Sequence, residues 1–599
     1  MTLTLGWTIS EWSEAYGSGQ ISPRTAIHAL REQLAANNLN DVAWIYLLSA
    51  SELDVQLDAL EATKNAASLP LFGIPFAVKD NIDVAGIPTT AACPAFTYIP
   101  AEDATSVARL KKAGAIVLGK TNLDQFATGL VGTRSPYGAV PNSFKANYIS
   151  GGSSSGSATT VAKGIVPFSL GTDTAGSGRV PAGFNNIVGL KPTKGRFSTK
   201  GVVPACRSLD CVSVFALTVN DAEAVAKVME GFDEADGYSR IAPAPATYFS
   251  NKPRFGIPTA PNWFGDIEAE AAWKLSLDHM LALGVELVTI DFTPMFTLAQ
   301  LLYGGPWVAE RHAAIATFMQ EHAYDMNDVV RSIVEKAVNF SATDTFVAEY
   351  KRADLAREIQ TLMSNVDALL VPTSPRHPTT ADVANDPIGV NSQLGTYTNF
   401  VNLADCSALA LPAVMRADGL PFGITLIAPA WQDAALIKFG QTWQTNSNLY
   451  LGITQRKAPA LIAKNSAPEG YVRIAVVGAH LTGMPLNSQL QERKALFVES
   501  TYTSSNYRLF ALPNTTPPKP GLIRTETNGA EIIVELWDVP LKDFGSFVAL
   551  IPAPLGIGTL TLHDGRDVKG FICEGAAING ARDITHLGGW RAYITSLQK

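Results

Sequence analysis

Two clusters of small residues carry serines that could act as nucleophiles. GGSSSGSA, residues 151–158, places three consecutive serines between glycines, and GTDTAGSGR, residues 171–179, contains a further serine. Gly/Ser clusters are common in flexible loops, which is the alternative interpretation. The segment TTVAKGIVPFSLGTD, which leads from the first cluster into the second, is typical of a helix running into a buried strand. We therefore expect the two turns to form neighbouring walls of one site.

A serine nucleophile needs a base, and Lys79, at the end of the apolar segment LFGIPFAV, is the candidate. None of the eight histidines lies between His28 and His279, the span that carries both serine clusters. Ser–Lys pairs are an accepted variant of the serine triad. Lowering a lysine pKa from about 10.4 to near 7 requires roughly 4 to 5 kcal/mol, which burial can supply. The alternative role for Lys79 is a structural ion pair with Asp80 or another acid.

GSSSG, residues 152–156, also fits the nucleophile-elbow motif GxSxG with Ser154 at its centre. That motif directly follows a strand, whereas the preceding SPYGAVPNSFKANYIS is rich in turn residues. It also needs a histidine downstream, for which His377 and His480 are candidates. A Ser154 nucleophile therefore stays open as an alternative.

GAIVLGKT, residues 114–121, matches the P-loop motif GxxxxGK[ST]. A P-loop follows a strand, whereas here AIVL is itself typical of a strand and ATSVARLKKAG before it of a helix. We interpret Lys120 as a residue at the end of a core strand and expect no nucleotide site.

The alternation of apolar strands with helical segments predicts an α/β enzyme. LPLFGIPFAVKDNID predicts a buried strand ending at Lys79 and Asp80, and VDALLVPTSP (residues 366–375) and LPFGITLIAP (residues 420–429) predict two more. Long helical stretches are expected between about residues 265 and 365. Charged residues make up 17% of the chain, below the roughly 25% of a typical soluble domain. Many elements should therefore be covered on both sides, as in a large sheet covered by helices.

Three segments in order, GIPFAVKDNID, GGSSSGSA and GTDTAGSGRVPAG, resemble the motifs of the amidase signature family, the serine hydrolases with a Ser–cisSer–Lys triad. The resemblance covers roughly residues 1–455 and implies that family's α/β fold, with a large mixed central sheet covered by helices. It assigns Ser177 as the nucleophile and Lys79 as the ultimate base. Ser153 is the bridging serine in a cis peptide, which we expect to join two serines.

In this chemistry Ser177 attacks an amide carbonyl, its proton passes through Ser153 towards neutral Lys79, and the relay later returns a proton to the departing amine. Ser155 stands where the family often has glycine, and Gly178 where an apolar residue often follows the nucleophile; neither change affects the triad. The resemblance places the oxyanion donors in the turn TAGS, as the backbone N–H groups of Thr174, Ala175, Gly176 and Ser177.

LLYGGPWVAERHAAI, residues 301–315, offers Tyr303 and Arg311 in a helix-like segment. An arginine fork suits a carboxylate, and this separation would place the two side chains about 80° apart on an ideal helix. The alternative is an ordinary helix with a surface arginine.

YGGPWVAER, the segment NFVNLADCSALALP (residues 399–412) and the C-terminal block containing VVGAHLTGMPLN resemble the allophanate hydrolase family. This resemblance covers nearly the full chain. It implies that Tyr303 and Arg311 hold a small acidic substrate, allophanate, whose amide is hydrolysed with release of ammonia.

The last part of the chain, residues 470–599, has strand-like segments such as YVRIAVVGAHL and AEIIVELWDV between turns, and it predicts a second domain. The mixed, proline-bearing residues 456–469 predict a linker after a first domain at residues 1–455. In the family this smaller α+β domain resembles gamma-glutamyl cyclotransferases and is associated with decarboxylating N-carboxycarbamate, for which a histidine is the proposed base. The matching residue is His480, and a structural histidine after a strand is the alternative.

Composition narrows the class of protein. The net charge of −8 and the lack of a Lys/Arg cluster make nucleic acid an unsuitable partner. Five cysteines without CxxC pairs indicate neither a disulfide framework nor a zinc knuckle, and they fit a reducing cytoplasm. The N-terminus lacks a signal-peptide pattern, and no apolar run reaches about 18 residues. We expect a soluble, unprocessed, cytoplasmic enzyme without membrane contact, cofactor or metal.

The leading hypothesis is an allophanate hydrolase of urea or related nitrogen catabolism, including triazine or cyanurate breakdown. A general small-molecule amidase with a C-terminal binding or assembly domain, the amidase subunit of a tRNA-dependent amidotransferase, and a degenerate amidase kept as a binding module are the alternatives. The resemblance further implies a homodimer and a functional link with urea carboxylase.

Overall fold

The computed structural model describes residues 5–37, 41–243, 249, 252–459, 467 and 470–597. The chain divides into two compact units, Met1–Ala460 and Leu461–Lys599. Part of the expected linker, residues 460–466 and 468–469, lies outside the described residues.

The described residues of the first unit form one large mixed sheet. Its strands, in chain order, are β1 (Trp44–Leu47), β2 (Pro75–Lys79), β3 (Ile116–Thr121), β4 (Phe168–Asp173), β5 (Val188–Lys191), β6 (Cys211–Ala216), β7 (Arg254–Pro258), β8 (Glu286–Ile290), β9 (Ala368–Pro372), β10 (Cys406–Met415) and β11 (Pro421–Pro429). They lie in the order β1-β3-β2-β4-β6-β5-β10-β11-β9-β7-β8. Strand β2 is parallel to β3 and β4, and β7 is parallel to β8 and β9, whereas the other pairs are antiparallel.

Helices cover this sheet, as expected. They are α1 (Ile9–Gly17), α2 (Pro23–Asn37), α3 (Ala50–Ala62), α4 (Thr105–Lys112), α5 (Ser155–Ala162), α6 (Val180–Phe184), α7 (Val219–Met229), α8 (Ile267–Ala282), α9 (Thr293–Gly304), α10 (Trp307–His322), α11 (Asp328–Val334), α12 (Ala342–Met363), α13 (Thr380–Asn385), α14 (Gly389–Leu394), α15 (Phe400–Leu403) and α16 (Asp433–Asn446). Every residue of the central strands β2, β4 and β6 is buried, which explains why their sequences lack the apolar/polar alternation of a half-exposed sheet.

The second unit is a smaller α+β domain, as predicted. Its strands and helices are β12 (Tyr471–Val476), α17 (Ser488–Gln491), β13 (Leu496–Tyr502), β14 (Tyr507–Ala511), β15 (Pro520–Arg524), β16 (Ile533–Pro540), α18 (Leu541–Val548), β17 (Leu555–Thr561), β18 (Asp567–Cys573), β19 (Arg582–Asp583) and α19 (Trp590–Ser596). One sheet has the order β13-β16-β12-β18-β17 and the other β15-β14-β19.

Two details differ from the sequence-based expectations. The stretch from about residue 265 to 365 is not wholly helical, because β8 lies within it at the edge of the large sheet. The segment NLDQFATG, whose sequence is typical of the start of a helix, forms only a short 3₁₀ turn at Gln125–Ala127. Lys120, the lysine of the P-loop match, lies in a core strand as expected. It is near the end of β3, fully buried, with its Nζ 2.9 Å from Asp80 Oδ1.

Candidate active site

Lys79 and the first serine cluster meet at the carboxyl ends of two inner strands of the large sheet. Strands β2 and β4 are parallel neighbours, so their carboxyl ends, which carry Lys79 and Thr172, lie side by side. Lys79 Nζ donates to Ser153 Oγ at 2.8 Å and to Thr172 Oγ1 at 2.7 Å. These two hydroxyl groups hold the amino group of Lys79 in place. Neither carries a negative charge that would stabilise its protonated form.

Burial lowers the pKa of Lys79 from 10.5 to about 7, although the charges of Asp124, Asp210 and Asp173 act in the opposite direction. A change of this size corresponds to ~5 kcal/mol in favour of the neutral amine. The alternative structural ion pair is wrong, because Asp80 is paired with Lys120 instead. A neutral amine at near-neutral pH is what a general base requires.

Ser153 follows a cis peptide bond between Gly152 and Ser153. The expectation that this bond joins two serines was wrong. Asp124 N donates to Ser153 O at 3.0 Å. A Cβ added at Gly152 would lie 2.1 Å from Asp124 Oδ2, so only glycine fits before the bridging serine.

Ser177 lies in the turn between β4 and α6 with 3% of its surface exposed. Its Oγ donates to the carbonyl oxygen of Gly129 at 3.4 Å. Within the described residues, no hydrogen bond joins Ser177 to Ser153. The structure thus joins Lys79 to Ser153 directly and directs the Ser177 hydroxyl towards Gly129.

Four backbone N–H groups of the turn that holds Ser177 were expected as oxyanion donors. Gly176 N donates to Asp173 Oδ1 at 3.0 Å, so the expectation that Gly176 supplies a free donor was wrong. In the described part of the chain, no acceptor faces the remaining N–H groups, which belong to Thr174, Ala175 and Ser177.

Asp173 and Arg179 hold this turn from its buried side. Arg179 Nε and Nη2 each lie 2.8 Å from a different oxygen of Asp173, and the same carboxylate accepts from Gly178 N at 3.0 Å. Burial raises the pKa of Asp173, but Arg179, Lys191 and the Gly178 N–H together outweigh that effect, so the net shift is downward. Both residues lie in the quoted segment GTDTAGSGR but were missed as functional residues. The sequence feature that could have identified them is the presence of two opposite charges, Asp173 and Arg179, within a turn of small residues.

Asp210 fixes the start of the same turn through a short hydrogen bond from Thr174 Oγ1. It also accepts from Ala205 N at 2.9 Å. Burial raises the pKa of Asp210 to about 6, even though these hydrogen bonds oppose the shift. No sequence signal distinguished Asp210 from other acidic residues.

Tyr303 and Arg311 do meet, but not on one helix as expected. Tyr303 ends α9 and Arg311 lies in α10, and Gly305 and Pro306 separate the two helices. Arg311 Nη2 donates to Tyr303 OH at 3.4 Å, and the guanidinium lies 5.0 Å from the centre of the tyrosine ring. Arg311 is 2% exposed and its Nε has no hydrogen-bond partner among the described residues, so it is not a surface arginine.

Thr128 connects Arg311 to the backbone segment that contacts Ser177, and no sequence motif indicated this role. Arg311 Nη1 donates to Thr128 Oγ1 at 3.0 Å. The next residue, Gly129, supplies the carbonyl that accepts from Ser177. Arg134 Nη1 donates to Thr128 O at 3.0 Å. Two buried arginines therefore position the short backbone segment that contacts Ser177.

The alternative nucleophile elbow is wrong. Ser154 lies at the start of α5 rather than directly after a strand, and its Oγ donates to Thr172 O at 3.2 Å. His377 is buried against the Phe184 ring and contacts the carbonyl of Ile149 at 3.0 Å. His480 belongs to the second unit.

His480 lines a cavity of the second unit. Its Nε2 lies 2.9 Å from Gln489 Oε1, and its ring stacks on Phe571. Burial lowers the pKa of His480, against the effect of the Gln489 hydrogen bond, and the charge of Lys519 lowers it further.

The described residues contain no cluster of three or more His, Cys, Asp or Glu side chains arranged to hold a metal ion. Among the described helices, none combines the length and apolar character needed to cross a bilayer. All five cysteines are free and buried.

Two family profiles match the chain. Residues 26–437 match the amidase family, and residues 472–595 match the allophanate hydrolase C-terminal domain. The urea amidolyase of Saccharomyces cerevisiae is 47% identical over 616 residues, which cover 100% of this chain and 34% of that protein. The chain thus spans about a third of the length of the curated urea amidolyases that it matches.

Solved structures of an allophanate hydrolase and a urea amidolyase also resemble this chain. Selenomethionine-substituted Kluyveromyces lactis allophanate hydrolase is 45% identical with a TM-score of 0.84, over 99% of this chain and 100% of that one. The K. lactis urea amidolyase structure has the same identity and TM-score over 100% of this chain and 37% of that one.

Proposed function

The chain belongs to the amidase family of amidohydrolases and carries an allophanate hydrolase C-terminal domain, and from this premise we propose that it hydrolyses allophanate. The predicted resemblance to both families is confirmed. The observation that supports a working catalytic centre is the contact between Lys79 Nζ and Ser153 Oγ at 2.8 Å, inside a site where burial brings the lysine pKa to about 7.

The proposed reaction begins when the Ser177 hydroxyl turns from Gly129 to Ser153. Neutral Lys79 accepts a proton from Ser153, which in turn accepts the Ser177 proton as Ser177 Oγ forms a bond to the carbamoyl carbon of allophanate. The developing oxyanion is stabilised by backbone N–H groups of the turn, and loss of one such donor typically costs about 2.7 to 4 kcal/mol. The relay then returns a proton to the leaving nitrogen, and ammonia departs.

A water molecule completes the cycle. It attacks the acyl-Ser177 carbonyl while the relay removes its proton, and the bond to Ser177 Oγ breaks as that oxygen regains a proton. The product is N-carboxycarbamate, which carries the carboxylate of the substrate and a second one made by hydrolysis. Arg311 is the proposed partner of the substrate carboxylate, because its Nε is unsatisfied and its charge has no bonded acid among the described residues.

We further propose that the second unit decarboxylates N-carboxycarbamate with His480. Gln489 Oε1 only accepts hydrogen bonds, so His480 Nε2 carries the proton of that contact and Nδ1 keeps a lone pair. A link with urea carboxylase is also proposed, and its support is that the matching relatives named urea amidolyase extend well beyond this chain.

The test is product release from allophanate by the purified chain. We expect ammonia from the intact protein, none above background from Ser177→Ala, and a loss of at least 10³-fold from Lys79→Met, since the triad acts as a unit. Ser155→Ala is the matched control, because this buried serine lies beside the triad but makes only a 3.4 Å contact to Asn122 O.

A comparison with biuret separates this function from that of a general amidase. Biuret replaces the carboxylate of allophanate by a neutral amide of similar shape. Equal kcat/KM values for the two compounds would contradict the proposed role of Arg311 and leave a general amidase.

A further inference from the structure

The second unit contains a cavity of about 170 Å³ around His480. Apolar side chains such as Leu486, Leu555 and Phe571 form part of its walls, and polar groups form the rest. Besides the histidine, the polar side chains of the lining are Gln489, Thr516 and Lys519. This volume is many times the roughly 10–15 Å³ that one water molecule needs on the same measure, so the cavity can hold a small organic molecule.

The imidazole of His480 is held in one orientation. Its Nε2 contacts Gln489 Oε1 at 2.9 Å, and its ring lies 5.1 Å from Phe571 at an interplanar angle of 23°. Phe547 meets the ring edge-on at 5.2 Å, and Asn487 Nδ2 donates to the backbone oxygen of His480 at 2.8 Å. No described protein group bonds Nδ1. The one ring nitrogen with a free lone pair is therefore available to a ligand.

Lys519 is the charged residue of the cavity wall. The lining includes no carboxylate, and in the described residues the Lys519 ammonium has neither an ion pair nor a hydrogen bond. Its backbone is fixed, because Lys519 N donates to Thr515 Oγ1 at 3.0 Å and Lys519 O accepts from Leu512 N at 3.1 Å. Its charge is close enough to lower the pKa of His480, although burial has the larger effect.

An unpaired cation in a cavity without a carboxylate in its lining favours a small anion as ligand. We propose that Lys519 binds one carboxylate of N-carboxycarbamate in this cavity and so places the nitrogen of that product beside His480 Nδ1. This inference rests on the proposed function. It names the residue that recognises N-carboxycarbamate, the product of the first reaction.

The resulting step balances without a cofactor. In the singly protonated product, HOOC–NH–COO⁻, Lys519 binds the ionised carboxylate. His480 Nδ1 takes the proton of the carboxylic acid and gives it to the nitrogen, while the C–N bond to that carboxyl group breaks and its electron pair stays on nitrogen. Carbon dioxide and carbamate leave. The departing group becomes neutral, which suits the apolar wall formed by Leu555 and Phe571.

The test uses malonate, in which a CH₂ group replaces the nitrogen and prevents decarboxylation. The full chain carrying Ser177→Ala is labelled at the histidine ring carbons, and the His480 signal, assigned with His480→Gln, is followed during malonate titration. We expect saturable movement of this signal, at least a tenfold higher Kd with Lys519→Met, and a Kd close to the original with Lys519→Arg. Lys569→Met, an exposed lysine of the same unit, is the matched control.

Malonate bound elsewhere does not register at His480, so the readout is specific to this cavity. No movement of the His480 signal, or the same Kd with Lys519→Met as with Lys569→Met, overturns the inference. The proposed function is tested separately by ammonia release. If the chain releases no ammonia from allophanate but binds malonate through Lys519, the proposed function is wrong and the anion site stands.

Discussion

Arg311 and Thr128 are joined by a hydrogen bond of 3.0 Å from Nη1 to the threonine hydroxyl, although 183 residues separate them in the chain. The residue after Thr128 accepts from the Ser177 hydroxyl. The proposed recognition of the substrate carboxylate and the orientation of the nucleophile therefore share one short backbone segment.

Replacing Arg311 by lysine keeps the charge but removes the fork that reaches both Thr128 and Tyr303. We expect kcat/KM for allophanate to fall by about 30- to 1,000-fold, which corresponds to about 2 to 4 kcal/mol. Hydrolysis of neutral biuret should change little. Steady-state kinetics on both compounds measures the ratio, and Arg331→Lys in α11 is the control; an equal loss on both compounds contradicts a carboxylate-specific role.

Thr128→Val removes the hydroxyl that satisfies Arg311 Nη1 and leaves the shape of the side chain nearly unchanged. An unsatisfied buried donor costs about 1 to 3 kcal/mol, so activity on allophanate should fall by roughly 5- to 100-fold. Thr128→Ser retains the acceptor and should stay near the original rate. If valine and serine variants behave alike, the hydroxyl does not position Arg311.

In the proposed mechanism, the pKa of Lys79 sets the pH dependence of the reaction. Lys79 must be neutral to accept a proton, so kcat/KM should fall about tenfold per pH unit below about pH 7 and level off above it. Lys79→Arg, which stays protonated, should be inactive at every pH. A profile measured from pH 5 to 9 checks this, and an acid limb centred below pH 5 would show that another group limits the rate.

The same shift affects stability. Between about pH 7 and 10.5 the unfolded chain binds the Lys79 proton while the folded chain does not, so the free energy of unfolding rises with pH in this window. Relative to Lys79→Met, the intact protein should gain about 2 kcal/mol between pH 7 and pH 9. Urea unfolding of both proteins at the two pH values measures the difference, and a constant difference contradicts the lowered pKa.

The sequence predicted the residues of the site better than their arrangement. Lys79 and Ser153 meet as their motifs indicated, because the ends of adjacent parallel strands bring them together. Tyr303 and Arg311 contact each other, but the break at Gly305 and Pro306 replaces the expected single helix by a contact between two helices.

Residues that act through tertiary contacts escaped prediction. Thr128 acquires its role from an arginine 183 residues away, and no local pattern encodes that contact. Strand β8 was missed for a different reason: it is short, lies at the edge of the sheet and is largely exposed or half-buried, so its sequence lacks the apolar run of the central strands.

Asp173→Asn tests the support of the nucleophile turn. The change leaves Arg179 buried without its charge partner, and breaking such a pair typically costs about 3 to 5 kcal/mol of stability. The amide keeps only one acceptor oxygen, so either Gly176 N or Gly178 N also loses its hydrogen-bond partner. We expect a lower urea midpoint and slower labelling of Ser177 by a serine-directed phosphonate; unchanged labelling at a temperature where the variant is folded would show that the turn holds Ser177 without this pair.

Gly176→Ala tests whether the conformation of the turn itself sets the reaction rate. Gly176 has a φ of +136°, and an added Cβ would lie 2.4 Å from Thr398 Oγ1. The substitution should therefore displace the neighbouring N–H groups of Ala175 and Ser177 and lower kcat by at least tenfold, in line with the loss of an oxyanion donor.

The double variant Gly176→Ala/Thr398→Ala separates the two causes of that loss. Removing the Thr398 hydroxyl eliminates the shortest contact, but Thr398 Cβ stays 2.7 Å from the added methyl and the unfavourable φ is unchanged, so we expect only part of the activity to return. Gly237→Ala, at a glycine with no atom near its added Cβ, is the control and should be neutral. Full recovery in the double variant would assign the effect to the clash alone, whereas a Gly176→Ala enzyme with unchanged kcat would show that the reaction does not depend on the conformation of this turn.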